Sequence, residues 1–194
     1  MKLGMRRKTK MNNKVCDLAS YSFSPDEKIL VDANIWLYLF PAPGGEKRFF
    51  VKGYSKAFFA LISAKAQPVL DPMVLSEYLN RYCRIEWEGN YKSTYPFFKD
   101  FRKSKDFGTV AATAQSYALK ILQCCRVHST QADELDLKQA LTALASGQID
   151  FNDALLVDIC KKQNFKLMTN DADFQCGGIE VLTTNPKLLK ACSY

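Results

Sequence analysis

The chain has 194 residues, 47% of them hydrophobic and 12% aromatic, which suits one domain with a substantial core. No apolar run reaches the roughly 18 residues that cross a bilayer, and the basic residues 1–14 have no apolar segment behind them, so neither a membrane-spanning protein nor a secretory signal is expected. A formal net charge of +7 and a pI of about 9.0 favour a polyanionic partner. The seven cysteines have no C-x-x-C spacing, which argues against a zinc site and for a reduced, cytoplasmic protein. The single histidine, His128, rules out two-histidine acid–base chemistry within one chain, and a Ser-His-Asp or Cys-His site would have to use it; read as a structural or surface residue, it leaves hydrolysis to carboxylates and metal.

In chain order, residues 1–27 are polar and basic and read as an N-terminal extension, with Val15 to Phe23 able to pack onto the body; residues 28–194 form the domain proper. Ile29-Leu30-Val31 is a short unbroken apolar run, the pattern of a strand buried on both faces. It runs straight into Asp32 and Asn34, either of which caps the next helix or, at the carboxyl edge of a parallel sheet, meets a ligand. The run 41–45 is a Pro/Gly loop, and residues 47–66 have helical periodicity, with Tyr54, Ala57, Phe58 and Leu61 on one face. Pro68-Val69-Leu70 reads as a second strand, and Asp71-Pro72 as the start of a helix that carries Glu77 beside an apolar stripe.

Residues 91–107 interleave aromatics with Lys92, Lys99, Arg102, Lys103 and Lys105. Such a segment either stacks on RNA or packs its rings on the body and leaves its lysines in water. A helix is expected over 109–126, a short strand before His128, and a helix over 133–146. Asp150 and Asp153 open the next helix in a near capping box. Residues 165–168 form a strand ending in Thr169-Asn170-Asp171-Ala172-Asp173-Phe174, followed by a strand at 179–182 and a short helix at 186–191. Strands alternating with helices predict an α/β fold with a mainly parallel sheet.

Each acid alone has a plain explanation as a cap or a solvated residue. As a set, Asp32 and Asp171 leave parallel strands at the same sheet edge, and carboxylates gathered there need a cation. Oxygen ligands of this kind suit Mg²⁺ or Mn²⁺.

The motifs Ile29-Leu30-Val31-Asp32-Ala33-Asn34, Glu77, Asp153-Ala154-Leu155 and Thr169-Asn170-Asp171-Ala172-Asp173-Phe174 resemble those of PIN domains, in order and spacing, over residues 28–184. The resemblance implies a three-layer α/β/α sandwich. It also implies Mg²⁺- or Mn²⁺-dependent endoribonuclease activity, as in VapC-type toxins of toxin–antitoxin pairs, with RNA as substrate and an antitoxin protein as partner. Asp32, Glu77, Asp153 and Asp171 match the four acidic, metal-holding positions, and Asn34, Thr169 and Asp173 match supporting ones. The extension and the long segment 87–109 depart from the compact toxin pattern. Hydrolysis by this route yields a 5′-phosphate and a 3′-hydroxyl, and Asp32→Asn is expected to keep the fold because the site faces solvent. PIN-like toxins are often homodimers, and Phe49, Phe50, Phe58 and Phe59 offer apolar surface for one. A dehalogenase-like phosphatase would need an acid where Asn34 stands. The rival from another class is a PIN-like module that binds RNA or protein without turnover.

Overall fold

The computed structural model describes residues 11–44, 51–147 and 149–192. Six parallel strands form one sheet: β1 (Lys14–Asp17), β2 (Lys28–Val31), β3 (Gln67–Leu70), β4 (Arg126–Val127), β5 (Lys166–Met168) and β6 (Glu180–Thr183), in the spatial order β1-β6-β5-β2-β3-β4. Eight α-helices accompany them among the described residues: α1 (Ala33–Leu39), α2 (Val51–Ser63), α3 (Pro72–Glu86), α4 (Phe98–Phe101), α5 (Lys105–Cys124), α6 (Leu137–Ala145), α7 (Phe151–Gln163) and α8 (Pro186–Ala191). Strand β2 is central, so both its faces are covered and Ile29, Leu30 and Val31 are fully buried; this explains the unbroken apolar run.

The order of strands fixes the layers. From β2 the chain steps outward through β3 to β4, and α1, α2, α3 and α5 on these crossovers pack against one another. It then returns past β2 to β5 by way of α6 and α7, which pair with each other. Parallel crossovers are right-handed, so reversing the direction of travel places the second group on the opposite face. The result is the α/β/α sandwich.

The stretch assigned to the extension by its composition contributes a strand. Lys14–Asp17 pairs with β6 at the edge of the sheet, and the fully buried Asn13 donates to Phe174 O (3.0 Å) and accepts from Ile179 N (3.1 Å). Helix α5 starts at Lys105, four residues before the expected start, because Ser104 caps it by accepting from Phe107 N. Helix α7 buries Leu155, Leu156, Ile159 and Cys160, while Phe151, Ala154 and Val157 are half-buried. Of the phenylalanines considered for a dimer, Phe49 and Phe50 lie outside the described residues. Phe58 packs edge-on against Trp36 at 5.4 Å, and Phe59 is 74% exposed.

Beyond Glu86 the chain makes a π-helical turn, Trp87–Tyr91, clamped by the loop after α1. The buried carboxylate of Glu86 accepts from Gly44 N and from Asn90. A Cβ on Gly89 would stand 2.2 Å from the carbonyl oxygen of Gly44, so only glycine fits this backbone approach. From there Phe101, fully buried, collects Tyr91, Tyr95, Phe98 and Phe107 around it. Most rings of the aromatic segment thus build a small core of their own.

At the amino end of the sheet, Lys166 of β5 holds three partners: Glu180 at 3.1 Å, Tyr21 at 2.6 Å and Glu27. Burial alone would push both carboxyls up, but hydrogen bonds from Lys166, joined by Tyr21 at Glu27 and Lys14 at Glu180, hold them below the usual range. Their contribution to stability is complete above the ordinary glutamate value and is lost as pH falls through the lowered ones. Lys166→Ala is therefore expected to cost about 2 kcal/mol at neutral pH. The gap to wild type should narrow below about pH 4 as the glutamates protonate. Urea titrations at both pH values measure it, and a gap that is constant with pH would contradict the assignment.

Candidate active site

Strands β2 and β5 are neighbours although the chain enters β5 only after visiting the far side of the sheet. Such a switch of direction opens a crevice at the carboxyl ends of the strands, where open α/β folds take their ligands. The register Val31↔Met168 sends Asp32 and Thr169 out of the sheet side by side. Asp32 is the N-cap of α1 and accepts from Ala33 N (2.6 Å), so the capping reading of this acid is correct as far as it goes. Its other oxygen accepts from the Thr169 hydroxyl at 2.6 Å and from the Asn34 amide. The Thr169 oxygen in turn accepts from Asn34 Nδ2 (3.1 Å) and Asp171 N (3.0 Å). Asp173 N donates to Asp171 Oδ1 (2.9 Å), while the Asp173 side chain is exposed.

The other acids come from two helices. Asp150 caps α7 by accepting from Asp153 N (2.8 Å), which sets Asp153 in the first turn, half-buried. Glu77 sits in α3 and pairs with Arg81 at 3.1 Å. Burial pushes the Asp32 carboxyl up to about 6, aided by the charges of Glu77 and Asp171 and opposed by the bonds from Thr169 and Ala33 N. Burial also pushes Asp153 up, to about 8, with Asp150, Asp32, Asp171 and Glu77 adding their repulsion. Asp32 and Asp153 therefore both feel the charges of Glu77 and Asp171.

They do not close on a single point. Among the described residues, no three histidine, cysteine or acidic side chains are gathered tightly enough to hold a metal ion. The reasons are local: Glu77 is turned along its helix to Arg81, and both oxygens of Asp32 are engaged. As a donor set the four fit a hard divalent cation, being all oxygen, mutually repelling, and met by one cation, Arg81, in the ion pairs of the described residues. Asp32, expected to face solvent, is only 4% exposed.

Sequence reasoning missed a polar network behind the acids. The Tyr54 hydroxyl, at the floor of the site, donates to Thr169 O (3.1 Å) or Asn170 Oδ1 (2.9 Å) and accepts from Thr184 N (3.1 Å). Asn170 N donates to Asn34 Oδ1 (3.1 Å), Asn170 Nδ2 to Tyr38, and Asn185 Nδ2 to Asn170 O (2.6 Å). The available signal was a tyrosine at position 54 in a stripe otherwise filled by purely apolar residues. His128 stands apart, its ring edge-on to Phe165 at 5.2 Å. A cleft of about 690 Å³ opens at the opposite edge of the sheet among Lys28, Lys166 and Glu180 and contains none of the four acids. Two of its lysines, Lys14 and Lys166, are paired with Glu27 and Glu180.

Because the folded chain raises Asp32 and Asp153, it keeps protons that the unfolded chain has released between about pH 4 and the raised values. In metal-free buffer the contribution of this pair to stability should fall as pH rises from about 4 to about 8. Asp153→Asn should raise the melting midpoint at pH 8 and leave it nearly unchanged at pH 5. Equal effects at both pH values, read by thermal denaturation in EDTA, would show that Asp153 carries no such strain.

The sequence profile of the PIN domain matches residues 29–176, well over half of the chain. No curated protein matches the sequence significantly. Among solved structures, VapBC2 from Rickettsia felis, bound to a DNA fragment from its promoter, is 16% identical with a TM-score of 0.51; the match covers 80% of this chain and 98% of that one. VapC20 from Mycobacterium tuberculosis, a Sarcin-Ricin loop cleaving toxin, is 18% identical over 75% of this chain and 92% of its own, with a TM-score of 0.46. PAE2754 from Pyrobaculum aerophilum is 14% identical over 87% and 98%, also at 0.46. At 16% identity the likeness to VapBC2 speaks to the fold alone. The profile match, spanning every strand end that builds the crevice, is the firmer tie, and by it the chain belongs to the PIN domain family.

Proposed function

We propose that this chain is a Mg²⁺- or Mn²⁺-dependent endoribonuclease acting as the toxin of a toxin–antitoxin pair. What supports the reading is that burial and the charges of Glu77 and Asp171 together hold the carboxyls of Asp32 and Asp153 above the usual carboxylate range. These four residues would hold the ion; once bound it supplies charge cancellation for the phosphodiester and activation of water. The chain's own part is orientation. Thr169 and Asn34 fix the inner oxygen of Asp32, and Asp173 N fixes Asp171, so the carboxylates present constant faces to the crevice. Glu77, paired with Arg81 in the free chain, would be the helix α3 residue that holds the ion. Nothing in this arrangement calls on imidazole.

The VapB–VapC pairing of the Rickettsia neighbour supports an antitoxin partner, and the exposed apolar residues Phe59 and Ile62 on α2 support a homodimer. The basic charge supports RNA as substrate. The chain contains no helix among its described residues long and apolar enough to cross a membrane, in keeping with action in the cytoplasm. The second reading, a silent RNA-binding module, makes no use of four acids crowded against their own repulsion.

The test is cleavage of single-stranded RNA by purified protein with Mg²⁺ or Mn²⁺. Asp171→Asn keeps the acceptor for Asp173 N and removes a charge, so the fold should persist while cleavage drops about a hundredfold. Asp32→Asn is the poorer probe: an amide facing donors from Thr169 and Asn34 costs about 1–3 kcal/mol of folding as well. His128→Ala should cleave like wild type. Undiminished cleavage in EDTA, or an inactive His128→Ala alone, would overturn the metal–carboxylate reading; binding of RNA without any cleavage would leave the silent module standing.

A further inference from the structure

Beyond the acids, α3 runs on to a second polar feature. A cleft of about 530 Å³ between its last turn and α4 is lined by Arg84, Phe98, Lys99, Arg102 and Lys103. Four of these five residues are cations, and among the described residues none of the four enters an ion pair. Two acids of the segment are turned to other duties: Glu86 is buried against Gly44, and Asp106 accepts from the Tyr95 hydroxyl at 2.8 Å. Glu88 and Asp100 are exposed outside the lining. Cations crowded without counter-charge are relieved by a polyanion.

The cleft also has flat surfaces. The Arg84 guanidinium lies 4.6 Å from the centre of the Phe98 ring, and the neighbouring Phe97 leaves 70% of its surface exposed. Guanidinium planes and free aromatic rings are the surfaces on which unpaired bases stack. An acidic peptide would use the charges and leave the rings idle, so the combination favours nucleic acid.

Position ties this cleft to the acids. Glu77, Arg81 and Arg84 are spaced i, i+4 and i+7, on one face of α3. At 1.5 Å per residue, Arg84 lies about 10 Å beyond Glu77 along the axis. A strand leaving the crevice along this face meets Arg81, then Arg84, then the cleft.

We propose that the Arg84–Arg102 cleft is a second subsite, binding the backbone and a base of the single-stranded RNA whose reacting phosphate is held at the acidic crevice. It rests on the nuclease reading, and it specifies where the rest of that substrate lies.

The experiment measures binding of a fluorescent single-stranded oligoribonucleotide in EDTA, where cleavage plays no part, at several salt concentrations. Arg84→Gln/Arg102→Gln should weaken binding about tenfold and reduce the slope of log K against log salt by about 1.4, that is about 0.7 per lost phosphate contact. Phe97→Ala, which removes an exposed ring, should weaken binding about tenfold with the slope unchanged. Lys28→Gln/Lys161→Gln, the same charge change at the opposite edge of the sheet, should do much less. Equal losses in the two double variants, or none in either, would overturn the proposal. So would variants that lose affinity for polyglutamate while keeping it for RNA. Hydrolysis of bis(p-nitrophenyl) phosphate with Mn²⁺ separates this from the nuclease reading, since that substrate is too small to reach the cleft. The cleft variants should hydrolyse it like wild type. A wild type inactive on it and on RNA, yet binding RNA through Arg84, Arg102 and Phe97, would sink the nuclease assignment and leave the subsite.

Discussion

The hydrogen bond from the Thr169 hydroxyl to Asp32 joins the ends of two strands that are far apart in sequence and adjacent in the sheet. A hydroxyl has one proton and two lone pairs, and here all are used: the proton on Asp32, the lone pairs on Asn34 and the Asp171 amide. The position of three candidate site residues therefore follows from one strand register. Slipping β5 against β2 by a single residue would turn Thr169 to the other face and separate the group. The apolar strands beneath enforce that register, since Leu167, Met168, Leu30 and Val31 are all fully buried.

Topology adds the remaining acids without further devices. Helix α3 follows β3 and α7 precedes β5, so they lie on opposite layers, one on each side of the strand ends of β2 and β5. The gathering works against folding, because burial and repulsion both disfavour ionised carboxylates. The unbroken apolar centre of the sheet offsets this, and the PIN domain holds its acids in a state that a cation would relieve.

Much of this was legible in the sequence because the signals were local. A buried parallel strand writes itself as Ile29-Leu30-Val31, a helix start as Asp71-Pro72, and the acids follow strand ends directly. What was not legible depended on partners distant in the chain. Lys14–Asp17 carries little hydrophobic pattern, since an edge strand is covered on fewer sides; its pairing is with residues more than 160 positions away. Tyr54 reads as one more apolar residue on a helix stripe, and only the fold reveals that its hydroxyl reaches the backbone beside Thr169. The burial of Asp32 was misjudged for the same reason: the sequence shows an acid at a strand end, but not the Thr169–Asn34 lid that closes over it. The aromatic segment divided between its two readings, most rings going inward and Phe97 outward.

Helix α3 is fixed at both ends. At its start the buried Asp71 accepts from Met73 N and from the Thr130 hydroxyl at 2.9 Å; at its finish Gly44 and Gly89 touch with no room for a methyl group between them. A rod held so cannot slide or tilt by much, and the interval between its sixth residue, Glu77, and its thirteenth, Arg84, is constant. Two landmarks at a constant interval make a gauge. A flexible chain lying along such a gauge is measured as it is held, so the fold can set where along a strand an event occurs without reading the letters at that point.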